Sequence, residues 1–180
     1  RAGVWNRADV RSIWGTSSGA IIGAMLAMGY DWEWLDDYLI KRPWHKVMSA
    51  DERVLSMYAE AGVYGPEVVR ETLAPLLEAK GHSPDINMAR FASATGVEFH
   101  CVATNVNGPD GFEKVVFGPE TTPDAPLLIA IAASASYPFL FKPVRHGDMC
   151  LTDGAVFSLY PLSEAIDAGC DPERTLGFST

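Results

Sequence analysis

Cysteine is scarce and scattered in this sequence: Cys101, Cys150 and Cys170 lie far apart, with no C-x-x-C and no neighbouring histidine pair. That argues against a disulfide scaffold or a zinc site and fits reduced thiols in an intracellular protein. Basic residues are few as well. Lys and Arg number 14 against 23 Asp and Glu, a net charge of −9, which argues against a general binder of nucleic-acid backbones. It says little against lipids, because a local apolar or basic patch is enough for membrane contact. Long hydrophobic runs are absent: the longest, around residues 127–133, falls far short of a bilayer-crossing helix, and no signal peptide is visible. Repeats and low-complexity tracts are missing too. The chain opens at Arg1, not at methionine, so a piece truncated at its N-terminus is the expectation.

What is present fits one globular domain over residues 1–180, since 180 residues with 48% apolar content can bury a sizeable core. Strand-like and helix-like segments alternate. A strand is expected over residues 10–14, then a small-residue helix from Ser18 to Met28 ending at Gly29. Asp31 can cap a helix from Trp32 to Lys41, apolar nearly all round and expected in the core, with an acyl-chain lining as the alternative. Residues 43–64 are irregular and suit a cap or lid. Pro66 starts an amphipathic helix ending at Gly81, and Asp85 or Asn87 caps a short one closed by Gly96. Residues 97–104 and 112–117 read as a hairpin around Asn107-Gly108-Pro109-Asp110-Gly111. An alanine-rich buried helix over 127–135 breaks at Tyr137-Pro138, and 139–144 is an apolar loop or short strand. A strand over 149–152 runs into Asp153-Gly154-Ala155, a last helix follows Pro161, and residues 175–179 suggest one more strand. The alternation implies an α/β fold with a largely parallel sheet.

One stretch carries chemistry. The apolar run 10–14 meets Gly15-Thr16-Ser17-Ser18-Gly19, a G-x-S-x-G in strand–turn–helix context, which is the setting of a nucleophile elbow presenting Ser17. Side chains at Gly15 and Gly19 are expected to collide with the neighbouring strand and helix. Ala20, Gly23, Ala24 and Ala27 give the helix a slim face for close packing on the sheet. Its N-terminus aims amides and partial positive charge at an oxyanion beside Ser17.

A serine hydroxyl needs a base. His45, His82, His100 and His146 sit in unrelated contexts, and none follows Asp153. The order serine, acid, histidine is kept only by Asp110 or Asp124 with His146. Asp153 itself stands at a strand end in a glycine turn, where active-site residues of such sheets gather, although Asp-Gly is also a common surface turn.

Together, Gly15-Thr16-Ser17-Ser18-Gly19-Ala20 and Asp153-Gly154-Ala155 resemble the patatin-like phospholipase family. The segments 102–105 and 115–117 look like its central hairpin, and Ala133-Ser134-Ala135-Ser136-Tyr137-Pro138-Phe139-Leu140-Phe141 like its alanine/serine helix and proline loop. The resemblance implies a three-layer α/β sandwich with the elbow after a central strand. It also implies a lipid acyl hydrolase without histidine, metal or cofactor, with Ser17 as nucleophile and Asp153 as general base. Ser18, Gly15, Gly19 and Gly154 would support the oxyanion site and the elbow. Lipid or phospholipid is the implied substrate, with transient membrane contact and no nucleic acid. Two departures stand out: Ala155 replaces a usual glycine, and nothing in residues 1–12 matches the family's glycine-rich oxyanion loop. Losing one oxyanion donor costs about 3 kcal/mol, so weak turnover is expected unless that loop lies upstream. Two alternatives stay open: a histidine-dependent esterase using Ser17, Asp110 or Asp124, and His146, and a catalytically inactive domain of this fold that binds lipid or protein.

Overall fold

In the computed structural model, which describes residues 5–48 and 61–178, the longest strand is the hub. The chain runs β1 (Ser12–Thr16), α1 (Ser18–Ala27), α2 (Trp32–Lys41), α3 (Trp44–Val47), β2 (Gly62–Tyr64), α4 (Glu67–Ala79) and α5 (Met88–Thr95). The hairpin β3 (Glu98–Gly108) and β4 (Gly111–Phe117) follows, then α6 (Leu127–Ser134), β5 (Phe139–Phe141), β6 (Val144–His146), β7 (Met149–Asp153) and α7 (Leu162–Asp167).

β3 takes three partners. β4 lies antiparallel along one edge, opposite Cys101 to Gly108. Along the other edge β1 runs parallel, Ser12 opposite Glu98 and Thr16 opposite Val102. β7 enters the same edge from the opposite direction, with Asp153 opposite Ala103. Two strands therefore meet end to end on β3, and both stop where they meet. The class is α/β, as expected. Within the described residues, parallel pairing in the main sheet belongs to β1 on β3, while β4, β7 and β6 are antiparallel. The short turns joining β3 to β4 and β6 to β7 leave no room for parallel crossovers. Among the described residues β1 is the outer strand and β3 holds the centre.

Residues of alternating strand positions divide the two faces. Phe99, Cys101, Ala103 and Leu151 are buried in one core with Phe91 of α5 and with Leu127, Ala130 and Ile131 of α6. α1 presses closest. A methyl at Gly23 would come within 2.9 Å of Ile13 Cγ2, so the slim face of Ala20, Gly23, Ala24 and Ala27 is used as expected. The opposite face is closed by the C-terminal segment: Thr16 Oγ1 donates to the Ser158 carbonyl at 2.8 Å, and Lys114 Nζ to Glu164 Oε1 of α7 at 2.7 Å.

α2 departs from expectation. Only Leu35 is buried, and Trp32 and Trp34 stay about half exposed. Its rings lie on the surface as a stack, Tyr30–Trp34 at 4.4 Å and Trp34–Tyr38 at 5.2 Å between centroids. Aromatics gain from stacking on one another without entering a core, so apolar residues all round did not mean burial. α2 is tied to α4 by Tyr38 Oη donating to the Thr72 carbonyl at 2.7 Å, and by Arg42 donating to the Glu71 carbonyl. Pro75 lacks the N–H that Glu71 would otherwise serve. Asn87, not Asp85, caps α5, accepting from Arg90 N at 2.9 Å. Of the expected lid, residues 49–60 lie outside the described residues, as do residues 1–4. Residues 175–178 form no strand; a 3-10 turn at Pro172–Arg174 precedes them, and they are exposed. No helix among the described residues is long and apolar enough to cross a membrane.

Candidate active site

The meeting of β1 and β7 on β3 fixes the site. Thr16 and Asp153 sit opposite the neighbouring residues Val102 and Ala103. The next residue after β1, Ser17, turns at φ 57° and ψ −126°, a conformation L residues rarely hold outside functional turns. Its hydroxyl donates to Asp153 Oδ2 at 2.6 Å. Ser17 is half-buried and reachable, whereas Asp153 is only 1% exposed.

The aspartate is held from several sides. Oδ1 accepts the Ala155 N–H at 2.8 Å, and the Asp153 carbonyl accepts Thr104 Oγ1 at 2.9 Å. Its own N–H donates to the Ser136 carbonyl at 3.0 Å. One carboxylate oxygen is thus bound in its own turn and the other is presented to Ser17.

Glycines open the space. A methyl at Gly15 would lie 2.5 Å from the Gly19 carbonyl oxygen, and one at Gly154 would lie 2.1 Å from that of Val102. Gly19 corrects the expectation made for it: a methyl there meets nothing within 4 Å. It is the Gly19 backbone that crowds Gly15, while its own α-carbon faces outward. Ser18 and Gly19 are exposed at the first turn of α1, where helix amides have no intrahelical acceptor.

The histidines stand elsewhere. His146 pairs with Met149 at the far end of β7, about 13 Å along the strand from Asp153 at the usual rise per residue. His100 is buried against Trp14, rings parallel at 3.9 Å, and His45 is exposed. Asp110 occupies the β3–β4 turn and Asp124 is exposed in a loop. Among the described residues, the hydrogen-bond partner of the Ser17 hydroxyl is Asp153.

Beside Ser17 opens a cavity of about 340 Å³, walled by Ile21, Trp44, Leu73, Leu140 and Phe141. That is a small-molecule volume with an apolar lining. Trp44 lines it, whereas Trp32 and Trp34 of the helix expected as an alternative acyl-chain lining do not. Sequence reasoning missed Ser134, whose hydroxyl oxygen accepts the Ser17 N–H at 3.1 Å. A serine in an alanine-rich helix was the only signal.

Similarity to known proteins identifies the family. The patatin-like phospholipase family profile matches residues 2–166. The chain is 28% identical over 158 residues to "Probable lipid hydrolase 463L" of Invertebrate iridescent virus 6, covering 84% of this chain and 52% of that protein. It is 27% identical over 168 residues to the uncharacterized protein YqhO of Bacillus subtilis (strain 168), covering 82% and 54%. The chain thus spans about half the length of these curated relatives. Among solved structures, ExoU of Pseudomonas aeruginosa, crystallised with SpcU, aligns at a TM-score of 0.42 and 16% identity over 71% of this chain and 32% of that one. On the match across nearly its whole length, the chain belongs to the patatin-like phospholipase family.

Proposed function

We propose that this domain hydrolyses fatty-acyl esters of lipids through Ser17 and Asp153. The observation that carries the reading is the 2.6 Å hydrogen bond from Ser17 Oγ to a buried, oriented carboxylate. Asp153 Oδ2 takes the hydroxyl proton as Ser17 Oγ attacks the ester carbonyl. The tetrahedral oxyanion is met by the Ser18 amide and the positive end of α1. Collapse expels the alcohol, which takes the proton from Asp153, and leaves an acyl-serine. Asp153 then accepts a proton from water, whose oxygen attacks the acyl carbon; the fatty acid leaves and Ser17 regains its proton. An aspartate is a weak base for a serine, so the reaction relies on burial and on preorganised donors.

The apolar cavity supports an acyl chain as the group bound beside Ser17. Contact with a lipid surface is supported by the rim. Tyr137, Phe139 and Leu140 are exposed next to the cavity, and no charged residue occurs between Asp124 and Lys142. Residues 137–141 thus add no charge to that rim.

The test is a fluorophosphonate adduct read by intact mass. An adduct lost with Ser17→Ala, sharply reduced with Asp153→Asn and unaffected by His146→Ala is expected. Loss with His146→Ala would favour a histidine-dependent esterase. No adduct on the folded protein would leave a binding domain in its place.

A further inference from the structure

Two buried serines close α6, and neither takes part in the reaction above. Ser134 is fully buried, and its oxygen accepts the Ser17 N–H at 3.1 Å. The Ser136 hydroxyl turns back to the Ala133 carbonyl at 2.8 Å, while the Ser136 carbonyl accepts Asp153 N at 3.0 Å and Thr152 Oγ1 at 2.8 Å. A single turn of chain, residues 134–136, grips both ends of the Ser17–Asp153 bond. The grip on Ser17 has a physical purpose. At φ 57° its backbone is strained, and such a conformation persists only where the surroundings over-determine it.

Resting on the serine–aspartate reading, we propose that Ser134 is a positioning residue for the nucleophile. Its oxygen fixes the Ser17 amide, and through it the direction in which Oγ leaves the backbone towards Asp153. The same contact occupies the Ser17 N–H, so that amide is withheld from the oxyanion and the donors on α1 begin at Ser18. The hydroxyl is needed as an acceptor; its size is not the point.

The test is the rate of inactivation of the purified full chain by a short-chain fluorophosphonate, resolved into a maximal rate and a half-saturating concentration. Thermal melting is measured alongside. Ser134→Ala removes the acceptor, and Ser134→Cys keeps the volume with a weak acceptor. Ser134→Thr keeps the hydroxyl, and Phe91→Leu loosens the same core away from the site. The maximal rate is expected to fall about tenfold or more in the Ala and Cys variants, as misplacement of a reacting group does, with half-saturation moving less than about twofold. Ser134→Thr is expected to recover most of the rate, and Phe91→Leu to melt lower at an almost unchanged rate. An unchanged rate in Ser134→Ala, a full rate in Ser134→Cys, or a rate in Phe91→Leu that falls in step with melting would overturn the assignment. A wild-type chain that labels normally beside Ser134→Ala and Ser134→Cys variants that label just as fast refutes this inference alone. A wild-type chain that does not label refutes the serine–aspartate reading itself.

Discussion

Ser17 and Asp153 are 136 residues apart in sequence and 2.6 Å apart in space because β1 and β7 end at neighbouring positions on one edge of β3. Nothing in either strand alone would bring them together. The pairing of both with β3 does, and substitutions at this junction separate chemistry from folding.

Asp153→Asn keeps the shape and most hydrogen bonds of the side chain but cannot take the serine proton. Ester turnover and fluorophosphonate labelling are expected to fall by roughly two to four decades, the range for a lost general base. The melting temperature should stay close to wild type. Stopped-assay kinetics beside calorimetry check both, and a turnover loss matched by unfolding would count against the role.

The elbow glycines are not equivalent. Gly15→Ala drives a methyl against the Gly19 backbone, and Gly154→Ala drives one against the Val102 carbonyl. Each should destabilise by about 1–3 kcal/mol, as overpacking does. Gly19→Ala meets open space in the first turn of α1, so it should leave urea-unfolding stability unchanged or raise it by up to about 1 kcal/mol.

Acid should unfold this domain in two stages. Burial pushes His100 from its usual 6.5 down to about 4. The unfolded chain takes up that proton near pH 6.5 and the native one only near 4. Stability from the neutral ring is therefore full above pH 6.5 and lost as pH falls towards 4, by on the order of 3 kcal/mol. Glu164 acts lower. Burial alone would raise its carboxyl, but hydrogen bonds from Lys114, its own amide, Ser163 and Ser158 hold it below the usual 4.5. Its share is present above pH 4.5 and is lost only as pH drops through its lowered value. In urea midpoints measured from pH 7 to 3, His100→Phe should flatten the upper stage and leave the lower one.

Phe139 stands at φ 68° with its side chain 74% exposed, a costly conformation for a bulky residue that Asn tolerates better. Phe139→Asn is expected to hold or raise the melting temperature by relieving that strain. If the rim meets lipid surfaces, the same variant should sediment less with phosphatidylcholine vesicles while keeping its rate on a soluble short-chain ester. Unchanged vesicle binding would remove Phe139 from that contact.

Much of this protein was legible in the chain. Local steric rules make Gly15-Thr16-Ser17-Ser18-Gly19 a tight strand-to-helix turn, and the spacing of Ala20, Gly23, Ala24 and Ala27 prepares a helix to lie on a sheet. Residues 97–104 and 112–117 read as a hairpin, and β3 and β4 form one. These depend on neighbours in sequence, and the structure agrees with them. The aromatic α2 was misread because hydropathy cannot tell a surface stack from a buried face. Gly19 was misread because a crowded turn does not reveal which of its residues faces outward.

The sequence by itself determined the elbow, the helix faces and the aspartate's place at a strand end, all consequences of contacts within a few residues. Only the tertiary structure decided that β1 and β7 converge on one edge of β3, that Asp153 and no histidine meets Ser17, and that Ser134 holds the serine amide. Those facts rest on long-range register, and register is set by how the whole sheet and its helices pack together.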